Sequence, residues 1–251
     1  MTLSTDILQE KLTHPFQYFD SVDSTNDIAK QWLQDGAQSG SVVIGNEQRK
    51  GRGRKGRTWY TPPDVALAIS VILKPPKQYI SRINIIGALS VYDLAEHVGC
   101  QNIGIKWPND VQINERKVSG ILPEAVWDGD KLLGIVLGMG INVRNDFSDT
   151  EIADIATTLE SESGTSLNRA DLIAYLMQRI DMWYERIPAD ALFITWKNRL
   201  NMLGQQVKID KLEGLAVGVE SDGALLVQDK DKQMQRVLAG DVFVIHKSGN
   251  K

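Results

Sequence analysis

A single cysteine, Cys100, stands among the 251 residues, so an intramolecular disulfide is excluded and a reducing compartment such as the cytoplasm is expected. Histidine is scarce too. His14, His97 and His246 are scattered without neighbouring cysteines, which argues against a dedicated zinc site. No stretch of about 18 apolar residues occurs, so no membrane-spanning helix is expected. The first residues, Met1 to Gln9, carry Asp6 and no apolar run, unlike a signal peptide. Net positive charge is also lacking: the formal charge is -4, which argues against bulk binding to nucleic acid or an anionic membrane. Any basic site must therefore be local.

What is present is an ordinary globular composition, 42% hydrophobic and 24% charged, long enough for one large domain with a smaller one. Residues 1–16 read as a short leader. Ser24 or Thr25 can cap a helix to about Gln34 that buries Ile28, Ala29, Trp32 and Leu33, and Gly36 ends it. Ser41 to Gln48 reads as a strand, and alternation at Leu67, Ile69, Val71 and Leu73 predicts another. Ile83, Ile86, Leu94 and Val98 space a helix that stops at Gly99. Three strands follow near Val111 to Ile113, Lys117 to Trp127 and Lys131 to Asn142. Hairpin turns at Asn114-Glu115-Arg116 and Asp128-Gly129-Asp130 join them. Asn168 can cap a helix carrying Leu172, Leu176, Ile180, Trp183 and Ile187, and Leu192, Trp196 and Leu200 mark one more. After Gly204 only short strand-like pieces remain, near Val207 to Ile209, Ala216 to Val219, Ala224 to Val227 and Val242 to Ile245. They suggest a small barrel of about 45 residues.

The densest signal is the run Arg49-Lys50-Gly51-Arg52-Gly53-Arg54-Lys55-Gly56-Arg57-Thr58-Trp59, with six cations in nine residues of an acidic chain. Gly51-x-Gly53-x-x-Gly56 formally matches a dinucleotide fingerprint. That fingerprint needs a helix to open at the glycines and an acidic residue about 20 positions on. Tyr60-Thr61-Pro62-Pro63 forbids the helix, and no Asp or Glu occurs from Val65 to Tyr92. The Rossmann reading fails, and no Walker sequence replaces it. Glycines that admit a ligand to the backbone, interleaved with bidentate arginines, suit a phosphate chain lying against a carboxylate. A solvated basic loop and an RNA-contacting Arg-Gly segment are the competing readings.

Two further segments carry chemistry. In Lys106-Trp107-Pro108-Asn109-Asp110 a stiffened turn presents an amide beside a carboxylate, suited to a nucleotide and its Mg²⁺, although Pro, Asn and Asp also make plain turns. In Lys117-Val118-Ser119-Gly120-Ile121-Leu122 a lysine on an apolar strand can reach into a site, or snorkel to water from an edge.

Taken in order, these three segments resemble the biotin protein ligases from about Tyr18 to His246. The resemblance includes Asp23-Ser24-Thr25-Asn26, Glu47-Gln48 and Gly138-Met139-Gly140-Ile141-Asn142-Val143. It extends to Asp222-Gly223-Ala224-Leu225-Leu226-Val227 and Val237-Leu238-Ala239-Gly240-Asp241-Val242 near the C-terminus. It implies an α/β (α+β) fold, with a mixed, mostly antiparallel sheet flanked by helices, like that of class II aminoacyl-tRNA synthetases. The catalytic domain would span 17–203, and an SH3-like β-barrel would occupy 204–247. The implied reaction activates biotin with ATP to biotinyl-5′-AMP and then transfers it to a lysine of a biotin carboxyl carrier domain. By family position Lys117, Arg52 and Arg54 are catalytic. Ser24, Thr25, Asn26, Gln48, Gly51, Arg52, Gly53, Arg54, Lys117 and Gly120 would hold biotin. Arg57, Trp59, Asn109, Asp110, Lys117 and Asn142 would hold ATP, with Asp110 meeting Mg²⁺.

Biotin's ureido group calls for neutral donors and acceptors, which Ser24, Thr25 and Gln48 can supply. Arg52, Arg54 and Lys117 would neutralise the two anions that must meet. Departures from the family pattern fall at Arg49, Lys50 and Ser119. About 17 residues precede Tyr18, too few for the three-helix DNA reader of many relatives, so no nucleic-acid partner is expected. The resemblance leaves homodimerisation open. The rival functions are a lipoate or octanoate ligase of the same fold and a nucleic-acid-binding protein using the basic loop.

Overall fold

The computed structural model describes residues 2–245, so His246 and the end of the expected barrel lie outside the described residues. The chain opens with α1 (Thr5–Lys11), β1 (Phe16–Phe19), α2 (Thr25–Gln34), β2 (Val42–Gly45) and β3 (Ala66–Leu73). It continues through α3 (Arg82–His97), β4 (Ile103–Lys106), β5 (Asp110–Ile113), β6 (Arg116–Asp128) and β7 (Lys131–Asn142). Three helices, α4 (Leu159–Ser163), α5 (Arg169–Glu185) and α6 (Asp190–Asn198), precede a run of strands. These are β8 (Gln206–Ile209), β9 (Leu212–Val219), β10 (Leu225–Asp229), β11 (Met234–Val237) and β12 (Val242–Val244).

The first seven strands form one sheet in the order β1-β2-β3-β7-β6-β5-β4. Only β1 and β2 run parallel, and every other neighbouring pair is antiparallel, as expected of a mixed, mostly antiparallel sheet. The two-residue turn between β5 and β6 places Asn114 and Glu115 both at positive φ, the handedness that matches twisted strands. The last five strands form a separate antiparallel sheet, β11-β10-β9-β8-β12, the small SH3-like module.

Period-two alternation decides what each face of the large sheet carries. Leu67, Ile69, Val71 and Leu73 of β3, with Ile135, Leu137, Met139 and Ile141 of β7, face the main core under α3 and α5. Ile72 and Val136 face the other way, against Ala29 and Leu33 of α2. That second face is where the site lies. On it β7 carries Gly138, Gly140 and Asn142, so no bulky side chains fill the sheet beside α2.

Three expectations are revised by packing. The leader is not featureless: it holds α1, capped by Ser4, and Leu8 is fully buried in the main core. Burying that leucine stabilises the docked segment by about 1.5–3 kcal/mol. The buried face of α2 is turned by one position from the sequence reading. Thr25, Asn26, Ala29 and Leu33 are buried, while Ile28 and Trp32 lie at its margin, because polar residues of the first turn face the site. The strand expected over residues 41–48 is continuous only from Val42 to Gly45, and Gln48 rejoins the pairing through isolated bridges to Val22 and Thr61. By contrast Asn168 caps α5 as expected, its Oδ1 accepting from the amides of Ala170 and Asp171.

Candidate active site

A cavity of about 470 Å³ opens on the glycine-bearing face of the sheet. α2 closes one end, the 49–59 segment crosses it, and the β4–β5 turn and the C-terminal module close the other side. The glycines have a direct steric reason. A Cβ at Gly138 would collide with the Asn26 amide, and one at Gly140 with the Trp59 indole. Asn26 and Trp59 lie on the sheet because those two positions have no side chain.

One end of the cavity is neutral and polar. Ser24 is the extended N-cap of α2, yet its side chain makes no capping bond and faces the cavity. The Thr25 amide and hydroxyl both donate to Gln48 Oε1, at 2.9 and 3.0 Å. Asn26 Nδ2 donates to the Leu122 carbonyl at 3.3 Å and to Glu124 Oε2 at 2.5 Å, and Glu124 in turn accepts from Lys30 at 2.6 Å.

The other end is cationic. Lys117 Nζ lies 2.6 Å from Asp110 Oδ1 and 5.4 Å from the Trp59 ring centroid. Arg54 Nη1 donates to Asn109 Oδ1 at 3.1 Å and reaches the Gly240 carbonyl at 3.5 Å. Asn109 Nδ2 donates to the Ile121 carbonyl at 2.6 Å, which fixes its oxygen toward Arg54. Asn142 is tied by its amide to the Thr157 and Lys117 carbonyls, at 3.1 and 3.4 Å.

The remaining loop cations are held by carboxylates of the protein itself. Arg52 makes a two-pronged bond to Asp27, at 2.7 and 2.5 Å, and that hydrogen bond holds the Asp27 carboxyl below its ordinary value and raises the Arg52 guanidinium. Arg57 donates to Asp241 Oδ1 at 2.6 Å, and Lys55 to its Oδ2 at 3.4 Å. Burial pushes the Asp241 carboxyl up, but the hydrogen bond and charge of Arg57, joined by Lys55, outweigh it and hold it low. Arg49 and Lys50 pair with Asp23, outside the cavity wall. Among the described residues Arg54 is thus the one cation of this loop with no carboxylate within salt-bridge distance.

Every residue singled out for biotin or ATP lines this cavity except Gly51. Gly51 sits behind the wall, where its carbonyl accepts from the Trp59 amide at 2.8 Å, so its part is to fold the loop back on itself. The departure at Ser119 is also off the wall: its hydroxyl donates to the Gly140 carbonyl at 2.7 Å. Sequence reasoning quoted Lys106 and Asp241 within motifs but gave them no site role, and it did not mention Phe243; all three line the cavity, Lys106 from the end of β4 and the others from the C-terminal module. Burial lowers the Lys106 ammonium, which stands 5.3 Å over the Phe243 ring. Trp107 stitches the same two units together, donating from Nε1 to the Gly223 carbonyl at 2.8 Å.

No group of three or more His, Cys, Asp or Glu side chains converges anywhere among the described residues. Asp110 is a single carboxylate already shared with Lys117. That donor set suits a Mg²⁺ carried chiefly by phosphates and water, and does not suit a metal caged by protein.

A long cavity with a neutral hydrogen-bonding end, a cationic end and a roof of Gly-Arg loop, set on a mixed sheet beside an SH3-like module, defines a ligase that activates a carboxylic acid. Residues 18–142 match the Biotin/lipoate A/B protein ligase family, and residues 202–244 match the Biotin protein ligase C terminal domain. The chain belongs to the biotin protein ligase family. It is 28% identical over 252 residues to the bifunctional ligase/repressor BirA of Bacillus subtilis, covering 96% of this chain and 76% of that protein. It is 27% identical over 236 residues to the biotin–[acetyl-CoA-carboxylase] ligase of Paracoccus denitrificans, covering 88% and 97%. Among solved structures, the biotin protein ligase from Aquifex aeolicus in complex with biotin and ATP superposes with a TM-score of 0.79. The two are 27% identical, with 93% of this chain and 99% of that one covered.

Proposed function

We propose that this chain is an ATP-dependent biotin protein ligase acting on the biotin carboxyl carrier domain of a biotin-dependent carboxylase. The observation that carries the reading is the polarity of the cavity. Neutral groups at Ser24, Thr25, Asn26 and Gln48 suit the uncharged ureido ring, and Lys117 and Arg54 stand where a carboxylate must meet a phosphate.

In the first step a carboxylate oxygen of biotin attacks the α-phosphorus of ATP, and the bond to pyrophosphate breaks. In the second the unprotonated carrier lysine attacks the acyl carbon, AMP leaves, and an amide forms with loss of the amine proton. The carboxylate is itself the nucleophile, so no serine or cysteine is needed. The protein's contribution is positioning and charge neutralisation by Lys117, Arg54 and Arg52, the last after it leaves Asp27. Arg57, Trp59, Asn109 and Asn142 belong to the nucleotide side. Asp110 would hold Mg²⁺, which, when bound, offsets phosphate charge. The single buried thiol, Cys100, suits a reducing cytoplasm.

The test is ATP–pyrophosphate exchange with and without biotin, followed by transfer to a carrier domain. Exchange that requires biotin supports the reading. Exchange driven by lipoate or octanoate in its place would assign the chain to that other activity of the fold.

A further inference from the structure

We propose that Ser70, which lies behind the cavity wall and does not line it, is a positioning residue that orders the neutral end of the site for a cyclic urea. The inference rests on the biotin reading of the cavity and deepens it.

β3 is buried at all eight positions, and seven of them are apolar. Ser70 is the exception, fully buried on the face that carries α2. A hydroxyl in such a strand is costly to bury unless it is bonded. Ser70 Oγ lies 2.6 Å from Asn26 Oδ1, an acceptor to which its one proton is donated, and 2.8 Å from Thr25 Oγ1, against which its oxygen packs. Thr25 and Asn26 are the first two residues of α2, themselves buried, and both line the cavity.

The consequences pass forward one layer. With Ser70 packed against Thr25, the Thr25 amide and hydroxyl lie in donating distance of Gln48 Oε1, and that oxygen has both its acceptor sites filled. Gln48 must then offer its Nε2 as a donor. The protein partner of that nitrogen, Thr61 Oγ1, lies at 3.4 Å, a long bond that leaves donating capacity for a ligand. With Asn26 Oδ1 taken by Ser70, the Asn26 Nδ2 is directed to Leu122 and Glu124, pinning the amide flat against Gly138. One hydroxyl behind the wall therefore fixes the Asn26 amide directly and braces the Thr25 side chain that meets Gln48. A urea carbonyl needs donors fixed in place, whereas the far carboxylate is served by cations that Ser70 does not touch.

The experiment compares Ser70→Ala with wild type in pyrophosphate exchange, titrating biotin and ATP separately. Removing the hydroxyl orphans the buried Asn26 oxygen and frees Thr25, so KM for biotin is expected to rise about 10- to 100-fold. KM for ATP and kcat are expected to stay within about 3-fold, and Ser70→Thr, which keeps the hydroxyl, to restore biotin affinity. If Ser70 acts through its neighbours, adding Ser70→Ala to Gln48→Ala should cost less than the product of the two single effects. An unchanged biotin KM, or equal changes in both KM values and in kcat, would overturn the proposal. Absence of biotin-dependent exchange in the wild-type enzyme would instead overturn the function on which it rests.

Discussion

Replacing Lys117 by alanine isolates the electrostatic part of the first step. The ammonium is partly shielded, with its side chain 32% exposed, and lies 2.6 Å from Asp110 and 5.4 Å from the Trp59 ring. For unit charges about 4 Å apart at an effective dielectric near 20, the interaction is about 4 kcal/mol. Only the part that grows as charge gathers between the carboxylate and the α-phosphate lowers the barrier. Loss of one preorganised donor of this kind typically costs about 2.7–4 kcal/mol, or 10²- to 10³-fold in rate. Lys117→Ala is therefore expected to slow biotin-dependent pyrophosphate exchange at saturating substrates by about 10²- to 10³-fold. Lys117→Arg, which keeps the charge, should retain more activity. The strand itself survives the change, because the Lys117 amide and carbonyl bond to Ile155 and Thr157 through the backbone. An exchange rate in Lys117→Ala within about threefold of wild type would refute the reasoning and leave the lysine as a solvated edge residue.

Arg54→Gly removes the loop cation that has no carboxylate partner, so biotinyl-AMP should still form but leave the site sooner. The released mixed anhydride acylates lysines in solution, so labelling of bystander albumin should rise about 10- to 150-fold, and unchanged labelling would show that Arg54 does not retain the adenylate. Asp241→Asn cuts the hold of the C-terminal module on Lys55 and Arg57, so the 49–59 amides should exchange with deuterium faster in the ligand-free enzyme, and equal protection would contradict this. The His14 imidazolium is held above the ordinary histidine value, chiefly because Asp181 accepts a hydrogen bond from it, with burial opposing. A raised folded value means that its contribution is complete below the unfolded value and fades as pH rises through the folded one. The Tm gap between wild type and His14→Gln should thus be larger near pH 6 than near pH 8.5, and a gap that widens toward alkali would reverse the sign of this argument.

The parts of this molecule that were legible in sequence are those where a local rule suffices. Alternation and two turn signals placed β5, β6 and β7 to within about a residue or two, because each strand hands its partner the next in a hairpin. The Gly-Arg run announced the cavity's roof through composition alone. α1 was illegible because seven residues with a single fully buried leucine give no period to read. β1 was illegible because four residues, all only half-buried, pair in parallel with a strand across a helix. No local pattern marks Ser70 out from any polar interruption of an apolar strand; only the position of α2 gives it partners, 44 and 45 residues away. Asp241 meets Arg57 across 184 residues, and no pattern within a window can contain such a pair.

The distribution of charge around the loop explains how an acidic chain maintains so cationic a segment. Six like charges in nine residues would repel one another if left unpaired, and the fold answers with Asp23 for Arg49 and Lys50, Asp27 for Arg52, and Asp241 for Lys55 and Arg57. These pairs are largely solvent-exposed, and such pairs are typically worth only about 0–1 kcal/mol each. They hold the cations near the cavity while remaining easy to displace. A phosphate or carboxylate entering the site therefore exchanges one anionic partner for another and need not organise bare charges. The exchange favours the ligand where the cavity is drier than the rim, since charge pairs strengthen as water is excluded. Arg54, whose partners are the Asn109 amide oxygen and the Gly240 carbonyl, gives up no ion pair when an anion arrives. It is consequently the loop cation best placed to be engaged first.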